Sequence, residues 1–114
     1  MSIARSYTSF STSQITHIFR TAKRALRHPH LDVLLTPQLY DHGRILVIAS
    51  RKTGNAVERN TVKRRIKNIF LQEALYGRGL DCIVIIKKDA IGITFDELKT
   101  LLVTAYANMA ENPS

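Results

Sequence analysis

Only one cysteine, Cys82, occurs in the 114 residues, so no disulfide can form within the chain. A lone thiol suits a reducing compartment, and we expect a cytoplasmic protein. No apolar run approaches the roughly 20 residues that cross a bilayer, and no signal-peptide pattern opens the chain. Repeats and low-complexity linkers are also missing, so residues 1–114 read as one domain with loose ends at 1–9 and 110–114. Acids are scarce and scattered: nine Asp plus Glu against seventeen Lys plus Arg, a formal charge of +8. A protein-only nuclease would want several clustered carboxylates to hold a divalent metal, and no such cluster is visible. His28-Pro29-His30 sets two imidazoles close together, but no cysteine or carboxylate pattern completes a metal site. Cys82 lies mid-strand without an activating partner, as a buried structural thiol would.

What is present is charge of one sign, unevenly spread. Residues 1–30 hold Arg5, Arg20, Lys23, Arg24 and Arg27 and no acid. Residues 44–67 hold Arg44, Arg51, Lys52, Arg59, Lys63, Arg64, Arg65 and Lys67 against Glu58 alone. Acids outnumber bases in the rest, where Asp32 and Asp41 read as solvated. Such segregation is the electrostatic footprint of a nucleic-acid surface, whereas ordinary solubilising charge would be mixed.

Apolar residues recurring at helical spacing predict three helices. In the first, Ile15, Ile18, Phe19, Ala22 and Leu26 share a stripe, Ser11 and Gln14 can form a capping box, and Phe10 can staple onto Ile15. The second is capped by Asn55 with Glu58 three residues on, and runs to about Leu75, with Gly77 and Gly79 offering a left-handed stop. The third starts at Thr94 with Glu97 as its capping-box partner, and Leu98, Leu101, Leu102, Ala105, Tyr106 and Met109 line its core face. Asp96 and Glu97 suit a helix N-terminus. Strands are predicted at 31–36, 45–50 and 80–87; the continuous runs Ile45–Ala49 and Cys82–Ile86 suggest strands covered on both faces. The order of these elements is that of an α+β, two-layer sandwich with one small sheet.

The second helix carries the chemistry. At about 100° per residue, Val62, Ile66, Ile69 and Phe70 fall on one stripe, while Arg59, Asn60, Lys63, Arg64 and Lys67 share an adjoining arc of about 140°. Val57, Val62 and Ile66 read as core. Like charges four residues apart repel by a few tenths of a kcal/mol per pair, a cost that an anion removes. Phosphates spaced along a strand are such an anion. Arg51 and Lys52 precede the helix, whose first amides also attract anions.

Ser50-Arg51-Lys52-Thr53-Gly54-Asn55-Ala56-Val57-Glu58-Arg59-Asn60-Thr61-Val62-Lys63-Arg64 resembles the signature of the bacterial ribonuclease P protein subunit. That signature is a Ser-Lys-Lys-x-Gly-Asn/Lys-Ala-Val segment before Arg-Asn-Arg-x-x-Lys-Arg-x-x-Arg on a helix. The resemblance is specific over about residues 44–70. It implies an αβββαβα fold with a small mixed central sheet and a left-handed βαβ crossover, as in ribosomal protein S5 domain 2. It also implies a protein that binds a catalytic RNA and the 5′ leader of precursor tRNA, with cleavage carried by the RNA and the Mg²⁺ the holoenzyme requires. No cofactor of the protein alone, no membrane and no obligate protein partner is implied. Carried over by position, Arg51, Lys52, Arg59, Asn60, Lys63, Arg64 and Lys67 would contact RNA, and Ile15, Phe19 and Leu34 would line the leader cleft. The chain departs from the signature at Thr61 and Lys67, where arginine is usual; Arg65 lies on another face of the helix. Only Phe19 keeps an aromatic ring in the cleft, so stacking should give way to charge and apolar contact. The family pattern also ends the first helix near Ala22 and puts a short strand around Arg24–Leu26, whereas periodicity alone carries the helix to Leu26; we expect the strand. A general RNA-binding protein, such as a ribosomal one, would explain the charge but not the Gly-Asn-Ala-Val-x-Arg-Asn spacing.

Overall fold

The computed structural model describes residues 12–39, 41–49, 54–87 and 92–111. Phe10, Ser11, Ser50, Arg51, Lys52 and the expected loose ends at 1–9 and 112–114 lie outside these residues, while 110 and 111 belong to the last helix. Along the chain come α1 (Thr12–Thr21), β1 (Lys23–Arg27), β2 (Leu31–Pro37), β3 (Ile45–Ala49), α2 (Ala56–Gln72), a 3₁₀ turn (Leu75–Gly77), β4 (Leu80–Ile86) and α3 (Phe95–Glu111). The four strands form one mixed sheet in the order β1-β2-β4-β3. β2 runs antiparallel to both β1 and β4, and β3 runs parallel to β4, so α2 is the crossover between two adjacent parallel strands.

β1 is the short strand expected beyond α1. Helical periodicity would carry α1 on to Leu26, but the ladder with β2 captures Lys23–Arg27, and a bulge at Ala25 shifts the register. Pairing with a central strand satisfies every other residue's backbone groups, which a helix continued toward Pro29 could not do for long.

Alternation along the strands divides the sheet into two faces. On one, Leu31, Val33, Leu35, Ile45, Cys82, Val84 and Ile86 meet Val62, Ile66, Ile69 and Phe70 of α2 and Leu98, Leu102, Ala105 and Tyr106 of α3 in one buried cluster. The opposite face carries α1. Ile18 and Ile83 are fully buried outside that main cluster, Thr21 Oγ1 lies 2.7 Å from Thr36 Oγ1, and the Arg44 guanidinium donates to Gln14 Oε1 at 3.1 Å.

The two continuous apolar runs have different fates. β4 is central, and all of Asp81–Val84 is buried; β3 is an edge strand, and Leu46–Ala49 are only half-buried. The expectation of cover on both faces is therefore corrected for β3: an unbroken apolar run reports burial of the strand on average, not its place in the sheet.

α2 begins as its cap predicts. Glu58 N–H donates to Asn55 Oδ1 at 2.9 Å, and Asn55 N–H donates to Glu58 Oε1 at 3.1 Å, a reciprocal box. It ends three residues before the expected Leu75. The left-handed residue at the stop is Ala74 (φ 51), not Gly77, and the turn it makes drops Leu75 fully into the core. Gly79 is left-handed too, but at the entry to β4 (φ 81). In α3, Glu97 N–H donates to the Thr94 hydroxyl at 3.2 Å, and the predicted stripe packs on the sheet. Among the described residues no helix is long and apolar enough to cross a membrane.

Candidate nucleic-acid interface

α2 sets its cations by the same rotation that buries its core stripe. Val62, Ile66, Ile69 and Phe70 are buried, Asn60 and Arg64 are exposed, and Arg59, Lys63 and Lys67 are half-buried along the boundary between them. Boundary positions of this kind let long basic side chains lay their methylenes on apolar surface and keep the charge in water. Arg59, at the helix start, sits in line with Ile66 and Phe70, and its Nε has no hydrogen-bond partner among the described residues.

The ion pairs sharpen the pattern. Asp32 takes Lys87 at 2.9 Å and Arg24 at 3.7 Å, Asp81 takes Arg44 at 3.8 Å, and Glu73 takes Lys99 at 3.5 Å. None of the described acids pairs with Arg59, Lys63, Arg64, Arg65 or Lys67. The fold thus pairs Arg24, Arg44, Lys87 and Lys99 and leaves the whole α2 row with its field unspent. Arg65 is half-buried on another face, as the wheel indicates, and the Thr61 hydroxyl donates back to Val57 O at 2.9 Å. Thr61 therefore turns its only polar group to the helix backbone and adds nothing to the row.

Val57 corrects the core assignment: it is 75% exposed. Seven residues before Arg64, it shares the outward side of α2, and the sheet lies opposite. Asp32 is a second correction. It is buried, not solvated, because it is the inward-turned member of Leu31-Asp32-Val33 on the second sheet face, and two cations accompany it. Asp41 is exposed as expected.

Of the cleft residues, Ile15 and Leu34 are half-buried and Phe19 is 43% exposed, so its ring is a surface feature and not core. Leu34 stands on the α1 side of the sheet, two residues before Thr36, which bonds Thr21. The register puts Ile83 and then Leu46 beside Leu34, and Ile85 and then Ile48 beside Asp32. An apolar floor rimmed by Arg24 and Lys87 thus adjoins α1. Beyond Leu34 it was missed in the sequence because its members come from three strands.

The buried tie beneath α1 was missed as well. Arg44 N–H donates to Asp81 Oδ1 at 2.8 Å, while its guanidinium bridges Asp81 and Gln14. Burial pushes the Asp81 carboxyl above its usual range, and the Arg44 amide and guanidinium pull it back. Burial likewise pushes the Cys82 thiol up to about 12, so it stays protonated and inert at neutral pH. His30 N–H donates to His28 Nδ1 at 3.1 Å, and among the described residues no group of three potential metal ligands forms.

A family model described as ribonuclease P matches residues 5–110. The chain belongs to the ribonuclease P protein family. It is 29% identical over 102 residues to the ribonuclease P protein component of Limosilactobacillus fermentum, covering 89% of this chain and 90% of that one. The protein component of Limosilactobacillus reuteri is 31% identical over 100 residues, covering 87% and 86%. Among solved structures, the ribonuclease P protein of Thermotoga maritima superposes with a TM-score of 0.70 at 25% identity, covering 84% of this chain and 91% of that one. The Staphylococcus aureus protein superposes at 0.74 and 24% identity, covering 89% and 93%, which speaks to the fold alone. Membership makes the chain a protein component of an endoribonuclease holoenzyme with a role in tRNA processing. It also implies partnership with the ribonuclease P RNA.

Proposed function

We propose that the α2 row is the surface on which this ribonuclease P component binds RNA, and that the apolar floor beside α1 takes the 5′ leader of precursor tRNA. The observation that carries this reading is the absence, among the described acids, of any partner for Arg59, Lys63, Arg64 or Lys67, while Arg24, Arg44, Lys87 and Lys99 are all paired. Unpaired cations in register along a helix present several phosphate sites at once, and each phosphate neutralised releases counterions. Asn60, exposed beside them, can donate to a base or sugar. Arg51 and Lys52, immediately before the helix, extend the same basic segment in sequence. In the leader cleft Phe19 offers one ring for stacking, and Ile15 and Leu34 offer apolar contact.

In this reading no protein side chain attacks the phosphodiester. The catalytic RNA and the Mg²⁺ of the holoenzyme supply the cleavage chemistry, and the protein holds the substrate strand against the RNA. The described residues assemble no carboxylate cluster to hold the metal. Cleavage of precursor tRNA at low Mg²⁺, with and without the catalytic RNA, tests the proposal. We expect no cleavage by the protein alone and faster cleavage when protein joins RNA. Unaided cleavage by the protein would overturn the mechanism, and an RNA reaction indifferent to the protein would overturn the function.

A further inference from the structure

At the end of the sheet away from the start of α2 lies a cavity of about 300 Å³, at the lower end of the range that accepts small ligands. Leu35 and Leu80 of the sheet and Tyr106 and Met109 of α3 give it an apolar wall, and Lys23 and Arg78 are among its lining residues. β4 measures its distance from the end of β3 that leads to α2. Leu80 pairs with Pro37 at the cavity, whereas Ile86 pairs with Ala49, where the chain leaves β3 for α2. Six residues of strand separate the two, about 20 Å at 3.3 Å per residue. The cavity also sits on the β1–β2 side, while the parallel β3 edge lies on the other side of β4.

Lys23 and Arg78 are exposed, and neither joins an ion pair with a described acid. An apolar wall beside two uncompensated cations suits a ligand with a flat apolar body and an anionic substituent. The Thr21 and Thr36 hydroxyls, bonded to each other at 2.7 Å, retain acceptor capacity for ring or exocyclic N–H groups. We propose that this cavity binds a single nucleotide, its base against Leu35, Leu80, Tyr106 and Met109 and its phosphate on Lys23 and Arg78. The nucleotide can come free or as an unpaired residue of an RNA strand. The inference rests on the cavity and its own cations, independently of the α2 reading.

The test is a titration of the full chain with adenosine 5′-monophosphate at low ionic strength, followed by amide chemical shifts. Saturable shifts at Leu35, Leu80, Tyr106 and Met109 in the millimolar range are expected, weakened about fivefold by Arg78→Ala or Lys23→Ala, each a surface change that leaves the core intact. Adenosine without phosphate should bind more weakly still. Shifts confined to α2, no saturation, an unaffected Arg78→Ala, or equal binding of inorganic phosphate would each overturn the proposal. A short oligoadenylate separates the sources: loss of affinity in Arg78→Ala assigns the cavity to an RNA residue, and unchanged affinity beside a weakened mononucleotide assigns it to the free nucleotide. Precursor-tRNA cleavage reads none of these amides, so either result can fail alone.

Discussion

Replacing Arg44 with methionine leaves the Asp81 carboxylate fully buried without its counter-charge. The side chain of Arg44 is 5% exposed and that of Asp81 0%, so water cannot take over the lost interaction. Breaking a buried pair by removing one member costs about 3–5 kcal/mol, and because the backbone N–H of residue 44 still donates to Asp81 Oδ1, the lower end applies. About 3 kcal/mol at pH 7 corresponds to a drop in Tm of roughly 10–15 °C for a domain of this size. The loss should depend on pH, with a sign that follows from the carboxyl. Burial already lifts Asp81 above its ordinary 3.8 in the folded state. Arg44→Met removes the guanidinium's opposing influence and leaves those of the residue 44 amide, the Leu39 amide and His42, so the folded-state value rises further. A group that binds its proton more tightly when folded costs stability as pH climbs from its unfolded value through its folded one, and the cost vanishes once both states are protonated. Urea unfolding followed by circular dichroism at pH 7 and near pH 4 should therefore show Arg44→Met losing most at pH 7 and markedly less at pH 4. Adding Asp81→Asn to Arg44→Met should recover part of the pH 7 loss, since no buried charge remains. An equal loss at both pH values, or one below about 1 kcal/mol at pH 7, would refute the reasoning.

Other expectations can be checked with single substitutions. Thr61→Arg restores the arginine of the family signature and frees the Val57 carbonyl from its back-bond; RNA affinity should rise, and an equal or lower affinity in a filter-binding assay would show that the surface has been rearranged. Ala74→Gly should stabilise the fold by about 0.5–1 kcal/mol in denaturant unfolding, because glycine adopts the left-handed stop without the Cβ clash. Val57→Ser should leave stability within about 0.5 kcal/mol, whereas Val62→Ala, at a fully packed site, should cost about 1–3 kcal/mol by the same measurement.

How much of this was legible in the sequence depends on the range of the interactions. Asn55 and Glu58 are three residues apart, and both halves of their box appear in the structure. The buried stripe of α2 and the boundary positions of its cations follow from helical rotation alone. β1 was legible only through the family pattern, since its five residues fit the preceding helix as well and only pairing with β2 decides between them. The end of α2 was misplaced because glycine is the ordinary left-handed stop, and here burial of Leu75 imposes that conformation on Ala74. Asp32 and Arg44 resisted reading for another reason. Their partners, Lys87 and Asp81, lie in a strand that joins them only when the sheet assembles. Val57 is readable from its angle on the wheel beside Arg64, an angle that prevails over a valine's usual preference for the core.

The salt dependence of single-stranded RNA binding by Lys63→Ala tests the central claim most directly. With the cationic row meeting phosphates, the slope of log affinity against log salt should flatten by about 0.7 for each lost single-strand phosphate contact. Arg65→Ala, on another face, should leave it nearly unchanged. An identical slope for wild type and Lys63→Ala would make the row solvated surface and contradict the account.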